Sequence, residues 1–147
     1  MIRKILISSD GSASADQSVE NAIELAKATG ASVLGFAVTK PYPMAMYGDL
    51  MLRGIETVQH YDEEARQLSK RLLTRIEQAA ETAGVRYAGY SVSSKSPAAA
   101  IIATAEKEGC DLICMALHDR YNVLGSHLDP EMTKVLTHAR VPILVCH

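Results

Sequence analysis

The sequence predicts an α/β domain: a five-stranded parallel sheet doubly wound with helices on both faces. Three observations lead there. Short apolar runs of strand length alternate with amphipathic helical patterns along the whole chain. Several of those runs are apolar at successive positions, so both of their faces need cover, as in parallel sheets flanked by helices. Helix caps and glycine stops fall where the periodicity changes.

The first strand is Ile5-Leu6-Ile7, and Ser14-Ala15-Asp16-Gln17 reads as a capping box opening the first helix. Val19, Ala22, Ile23 and Ala26 give that helix its apolar face, and Gly30 stops it. Ala31 to Val38 is the second strand. The second helix is long: Val58, Tyr61, Ala65, Leu68, Leu72, Ile76, Ala79 and Ala83 recur at three and four spacing up to Gly84. Val85 to Val92 is the third strand. Ser96-Pro97 caps a third helix with proline at its first position, Ala98, Ile101, Ile102 and Ala105 face its core, and Gly109 ends it. Asp111 to Ala116 is the fourth strand. Asp129-Pro130-Glu131 opens a fourth helix with an acidic cap and a second acid at the positive dipole end. Val141 to Cys146 closes the series as the fifth strand.

A chain of 147 residues suits one domain, read as 1-147. Fifteen Lys and Arg against seventeen Asp and Glu leave a formal charge of -2, which lacks the basic field of a general nucleic-acid binder. The uncharged stretch from Lys27 to Lys40 falls well short of the roughly 20 residues that span a bilayer, so no membrane partner is expected. Asp10 ends the apolar run after Arg3 and Lys4 before a signal peptide can form, and a cytoplasmic location is expected. Cys110, Cys114 and Cys146 have no zinc or redox spacing and read as buried reduced thiols.

Two segments break the alternation, both after strands on the side where open α/β sheets bind ligands. Thr39 to Ile55 carries prolines, glycines, methionines and tyrosines and reads either as a lid or as a loop packed over the sheet edge or a second subunit. Leu117 to Leu128 is the other.

Through Lys4-Ile5-Leu6-Ile7-Ser8-Ser9-Asp10-Gly11-Ser12, Asp111-Leu112-Ile113-Cys114-Met115 and Lys134-Val135-Leu136-Thr137-His138-Ala139-Arg140-Val141-Pro142-Ile143-Leu144-Val145 the chain carries a resemblance to the universal stress proteins. It implies a Rossmann-like fold of the adenine nucleotide alpha hydrolase type. It also implies a homodimer in which the last strands meet antiparallel. The apolar run holding Val141, Ile143, Leu144 and Val145 fits that role as an edge strand with few charges to blunt pairing.

Many members of that family bind ATP through a glycine pattern after the fourth strand, ending in Ser or Thr. Anchored without gaps at Met115 and Lys134, its four positions fall here on Ala116, Asp119, Asp129 and Pro130. Two carboxylates then face the phosphates; like charges about 4 Å apart cost about 1 kcal/mol in water and about 4 at an effective dielectric of 20. Pro130 removes a backbone donor as well. Gly125-Ser126 in a shifted loop, His118 and Arg120, or a divalent ion on Asp119 and Asp129 are alternative phosphate partners. In nucleotide-binding relatives the residue matching Asp10 lies close to the adenine and ribose and the one matching Val38 lines the base, which adds Ser9 and Met115 as candidate site residues. Asp10 reads equally as a turn residue bonding nearby amides.

His118, Asp119, His127 and Asp129 read as solvated loop polarity, not a metal set, and the serines flanking Asp10 lack a nucleophile elbow. A flavodoxin-like cofactor domain is disfavoured by the missing phosphate loop and scarce aromatic residues. The reading is therefore a cytoplasmic, homodimeric, non-enzymatic stress-response module with unidentified protein partners and no cofactor. The alternative is an ATP- or AMP-binding member with an altered phosphate loop.

Overall fold

The computed structural model describes residues 1–43, 55–116 and 129–146. At its centre is β1, Lys4–Ser8, whose Ile5, Leu6 and Ile7 are completely buried, so successive side chains enter cores on opposite sides of the sheet. The other strands are β2 (Ser32–Thr39), β3 (Tyr87–Ser93), β4 (Leu112–Ala116) and β5 (Ile143–Cys146). All neighbours are parallel, in the order β3-β2-β1-β4-β5. The chain thus winds outward from β1 to β3, then crosses back and winds outward to β5. The reversal lies between β1 and β4.

The helices are α1 (Ala13–Thr29), α2 (Ile55–Ala83), α3 (Pro97–Lys107) and α4 (Pro130–His138). Ile5, Ile7, Val33, Leu112 and Cys114 form one core with Val19 and Ala22 of α1 and Ile76 and Ala80 of α2. Leu6, Phe36, Ile113 and Met115 form the other with Ala98 and Ile101 of α3 and Met132 and Val135 of α4. Among the described residues, no helix is long and apolar enough to cross a membrane.

Three details differ from the sequence expectation. The capping box at Ser14 is not used: Asp10 Oδ1 accepts the Ser12 N–H at 3.1 Å, holding Ser12 extended, and Ser12 Oγ accepts the Ala15 N–H. α1 therefore starts two residues earlier, at Ala13, with Ser12 as its cap. β3 lies at the sheet edge with most of its residues exposed; Tyr90 is 46% exposed and stacks on Phe36. The predicted stripe of α2 enters the core only from Leu72 onward, and Leu68 is 40% exposed. Length explains this: 29 helical residues span about 43 Å, whereas the eight of β2 span about 26 Å. The N-terminal part of α2 overhangs the C-terminal ends of the strands.

The remaining boundaries match closely. Ser96 caps α3 and Asp129 caps α4, each followed by proline, and Gly30 closes α1 at a φ of 72°. β5 is the expected edge strand, with Ile143, Leu144 and Val145 partly exposed; Val141 precedes it and packs against the α3–α4 core. Residues 44–54 of the segment from Thr39 to Ile55, read as a lid or a packed loop, and the loop 117–128 lie outside the described residues.

Candidate functional site

A cavity of about 480 Å³ opens above the C-terminal ends of β1, β2 and β4, at the point where the strand order reverses. Six of the residues picked from sequence line it: Ser9, Asp10, Val38, Met115, Ala116 and Asp129. They arrive from three strand ends and one helix start. Pro130 follows as the first residue of α4, and Asp119 lies outside the described residues. The sequence reading missed Lys40 and the apolar floor of Ile101 and Met132, and read Glu131 only as a second acid at the positive dipole end of its helix. Lys40 was findable, since it directly follows β2 on the ligand side; Met132 and Ile101 look like any other helix core position.

Among the described residues, five backbone donors around the cavity are engaged by the protein's own side chains. At the β1–α1 turn, Ser9 Oγ accepts the Gly11 N–H at 3.2 Å, and Asp10 Oδ1 accepts both the Ser12 N–H at 3.1 Å and the Ser12 hydroxyl at 2.8 Å. Gly11 permits this turn with a φ of 82°. At the start of α3, Glu131 Oε2 accepts the Ala98 N–H at 2.9 Å and Ser96 Oγ that of Ala99 at 3.4 Å. At the start of α4, Asp129 Oδ1 accepts the Glu131 N–H at 3.0 Å. Helix N-termini ordinarily offer these donors to anions; here carboxylates already sit on two of them.

Charge follows the same pattern. Asp10, Asp129 and Glu131 face Lys40, the one cation among the described lining residues. The hydrogen bond from Lys134 and that from the Ala98 N–H, with the charges of Lys134 and Lys40 behind them, hold the Glu131 carboxyl below its usual range against the opposing effect of burial. Glu131 is therefore a fixed anion at neutral pH, tied to both α3 and Lys134.

The cysteines lie away from the cavity, and all three are buried. Cys114 and Cys146 meet across β4 and β5 with sulfurs 3.9 Å apart, and Ser18 Oγ lies 3.5 Å from Cys114. Burial, with Cys146 alongside, pushes the Cys114 thiol up to about 12 despite the Ser18 hydrogen bond. Neither thiol has the electropositive, accessible setting of a nucleophile. No group of three potential metal ligands occurs among the described residues; His118, Asp119 and His127 of the loop cluster lie outside them.

A parallel, doubly wound sheet with a ligand-sized cavity at its switch point defines a Rossmann-like α/β protein. The model of the universal stress protein family matches residues 1–147, and the chain belongs to that family. A universal stress family protein from Burkholderia pseudomallei superposes with a TM-score of 0.70 at 26% identity, covering 98% of this chain and 95% of that one. A universal stress protein in complex with cAMP gives 0.72 at 18% identity, with 99% and 97% covered. One from Archaeoglobus fulgidus in complex with dAMP gives 0.63 at 16% identity, with 100% and 98% covered. No curated protein matches the chain.

Proposed function

We propose that this chain is a cytoplasmic, homodimeric stress-response module that acts through protein contacts, and that its cavity does not take ATP in the manner implied by the family's glycine motif. One observation carries the second part: the start of α4, where such a phosphate would lie, has its free donor bonded to Asp129 and its first position filled by Pro130. A triphosphate there meets carboxylates in place of amides, and its repulsion is strongest where solvent is excluded. The partly exposed Ile143, Leu144 and Val145 at the β5 edge support self-pairing, since an apolar edge strand is a template for a second copy. The role is binding, with no residue assigned to turnover.

Calorimetric titration with ATP and Mg²⁺ tests the claim about ATP: no binding heat is expected, and micromolar affinity overturns it. Sedimentation tests self-pairing, with a dimer expected for the native chain and a monomer for Val145→Lys. A monomeric native chain overturns it.

A second reading is favoured by the cavity itself. A volume of about 480 Å³ over Ser9, Asp10, Val38 and Met115 is within the range of small-molecule sites and suits an adenine mononucleotide. Relatives of the same fold are described with cAMP and with dAMP.

A further inference from the structure

The two edges of the sheet differ in length: β5 has four residues and β3 has seven. Among the described residues, β3 pairs with β2 alone. Its ladder to β2 uses the even positions. The Arg86 carbonyl accepts the Val33 N–H at 2.8 Å, and Ser94 donates its N–H to the Thr39 carbonyl at 2.9 Å. The N–H and C=O of one residue point the same way, and that direction alternates along a strand. Tyr87, Gly89, Ser91 and Ser93 therefore turn both groups outward, to the free edge.

Nothing within the strand blunts that edge. Tyr87-Ala88-Gly89-Tyr90-Ser91-Val92-Ser93 holds neither a charge nor a proline, the usual guards of an unpaired strand. Ala88, Gly89, Tyr90, Ser91 and Ser93 are all exposed. Tyr90 stacks on Phe36 with ring centroids 6.0 Å apart, which fixes an aromatic wall beside the edge.

Along this stretch of backbone, charge appears only beyond the two ends. Arg86 precedes the strand and Lys95 follows it; both are exposed, and neither is in an ion pair with a described acid. The α2 face alongside is mixed and selects neither sign. Glu77 acts on Tyr87, and Asp62 and Arg66 lie by Ser93, with Arg66 bonded to Glu63. A second copy pairing antiparallel about Tyr90 would set Arg86 of each chain beside Lys95 of the other, so like charges oppose self-pairing at both ends.

We propose that the β3 edge docks a strand of a partner protein: an uncharged, extended segment with a carboxylate at each end, one by Arg86 and one by Lys95. This rests on the reading above that the chain acts through protein contacts, and it names the surface. The outward groups of Tyr87, Gly89, Ser91 and Ser93 supply the main-chain hydrogen bonds that hold an added strand. The two end charges choose among segments.

The test is an NMR titration of the full chain with two synthetic peptides. Each has a core of alternating threonine and valine as long as β3; one carries a glutamate at both ends, the other a lysine. The glutamate peptide is expected to bind roughly tenfold more tightly, to weaken with added salt, and to shift the amide signals of Tyr87, Gly89, Ser91 and Ser93. Ser91→Pro removes one outward donor, leaves the β2 ladder intact and should abolish binding, with an unchanged thermal midpoint showing that it folds. Arg86→Glu combined with Lys95→Glu should reverse the preference toward the lysine peptide, which tests the edge independently of the proline variant. Binding of neither peptide, equal binding of both, or binding that survives in folded Ser91→Pro overturns the docking edge. Those results leave the self-pairing of the chain standing, since sedimentation reads it separately. A chain that binds the glutamate peptide and sediments as a monomer keeps the edge and loses the self-pairing.

Discussion

Tyr87 lays its ring over Gly35 of the neighbouring strand so closely that a Cβ added to Gly35 would come within 2.8 Å of Tyr87 Cε2. Gly89, the register partner of Gly35, leaves room for the same ring, and the Tyr87 hydroxyl donates to the Leu73 carbonyl of α2 at 3.1 Å. The two glycines make a slot through which an edge-strand tyrosine anchors the long helix. Gly35→Ala should therefore push the ring out of its slot and break the bond to Leu73. The expected destabilisation is about 1–3 kcal/mol in urea unfolding. Tyr87→Phe, which keeps the ring, should cost only about 0.5–1.5 kcal/mol. If Gly35→Ala is neutral, the slot does not constrain the helix.

The Glu131 carboxylate on the Ala98 N–H makes part of the acid stability depend on this side chain. Its folded pKa lies below the ordinary value of 4.5, so its contribution is complete above that pH and is lost as pH falls through the lower folded value. Glu131→Gln should lower stability at pH 7 by about 0.5–1.5 kcal/mol, because a neutral amide oxygen accepts more weakly. It should also flatten the fall in stability below pH about 4.5 relative to the native chain. Denaturant midpoints measured from pH 7 down to pH 3 check both; parallel curves for the two proteins overturn the assignment.

The order of elements along the chain was legible in the sequence because five apolar runs alternate with capped helices, and local signals such as Ser96-Pro97 and Asp129-Pro130 act within a few residues. The start of α1 was misjudged because Ser12 and Ser14 are both good caps. The choice between them was made by Asp10, which fixes Ser12 through its backbone N–H. The exposure of β3 was not legible, since Tyr87 and Val92 look apolar wherever the strand sits, and only pairing order puts it at an edge. Of the cavity, Asp10, Val38 and Asp129 were found through motif positions. Lys40 and the floor of Ile101 and Met132 depend on how three strand ends and two helices converge, which no local pattern encodes.

Cys114 and Cys146 should resist alkylation in the folded protein. The thiolate is the reactive form, and burial pushes the Cys114 thiol up to about 12. Burial also raises the Cys110 thiol. At pH 8, iodoacetamide should modify these three buried cysteines only at the rate of unfolding, and all three promptly in denaturant. Mass spectrometry of the intact chain reads the count. Rapid modification of Cys114 under native conditions would contradict its burial.

The closed phosphate end of the cavity should be reopenable. Asp129→Gly removes the carboxylate bonded to the Glu131 N–H and returns that donor, and Pro130→Ser restores a backbone N–H at the first position of α4. Adding Asp119→Gly removes the second acid at a motif position. The triple variant should bind ATP with Mg²⁺ at least about tenfold more tightly than the native chain, since each like-charge contact costs about 1 kcal/mol or more near the phosphates. Stability should move the other way. Replacing the Asp129 cap by Gly costs about 0.3 kcal/mol, which a thermal scan will register as a slightly lower midpoint. Glu131 remains on the Ala98 N–H in this variant, so ATP gains the start of α4 and not that of α3. An unchanged calorimetric affinity would assign the closure to the conformation of the segment between β4 and α4 in place of its carboxylates.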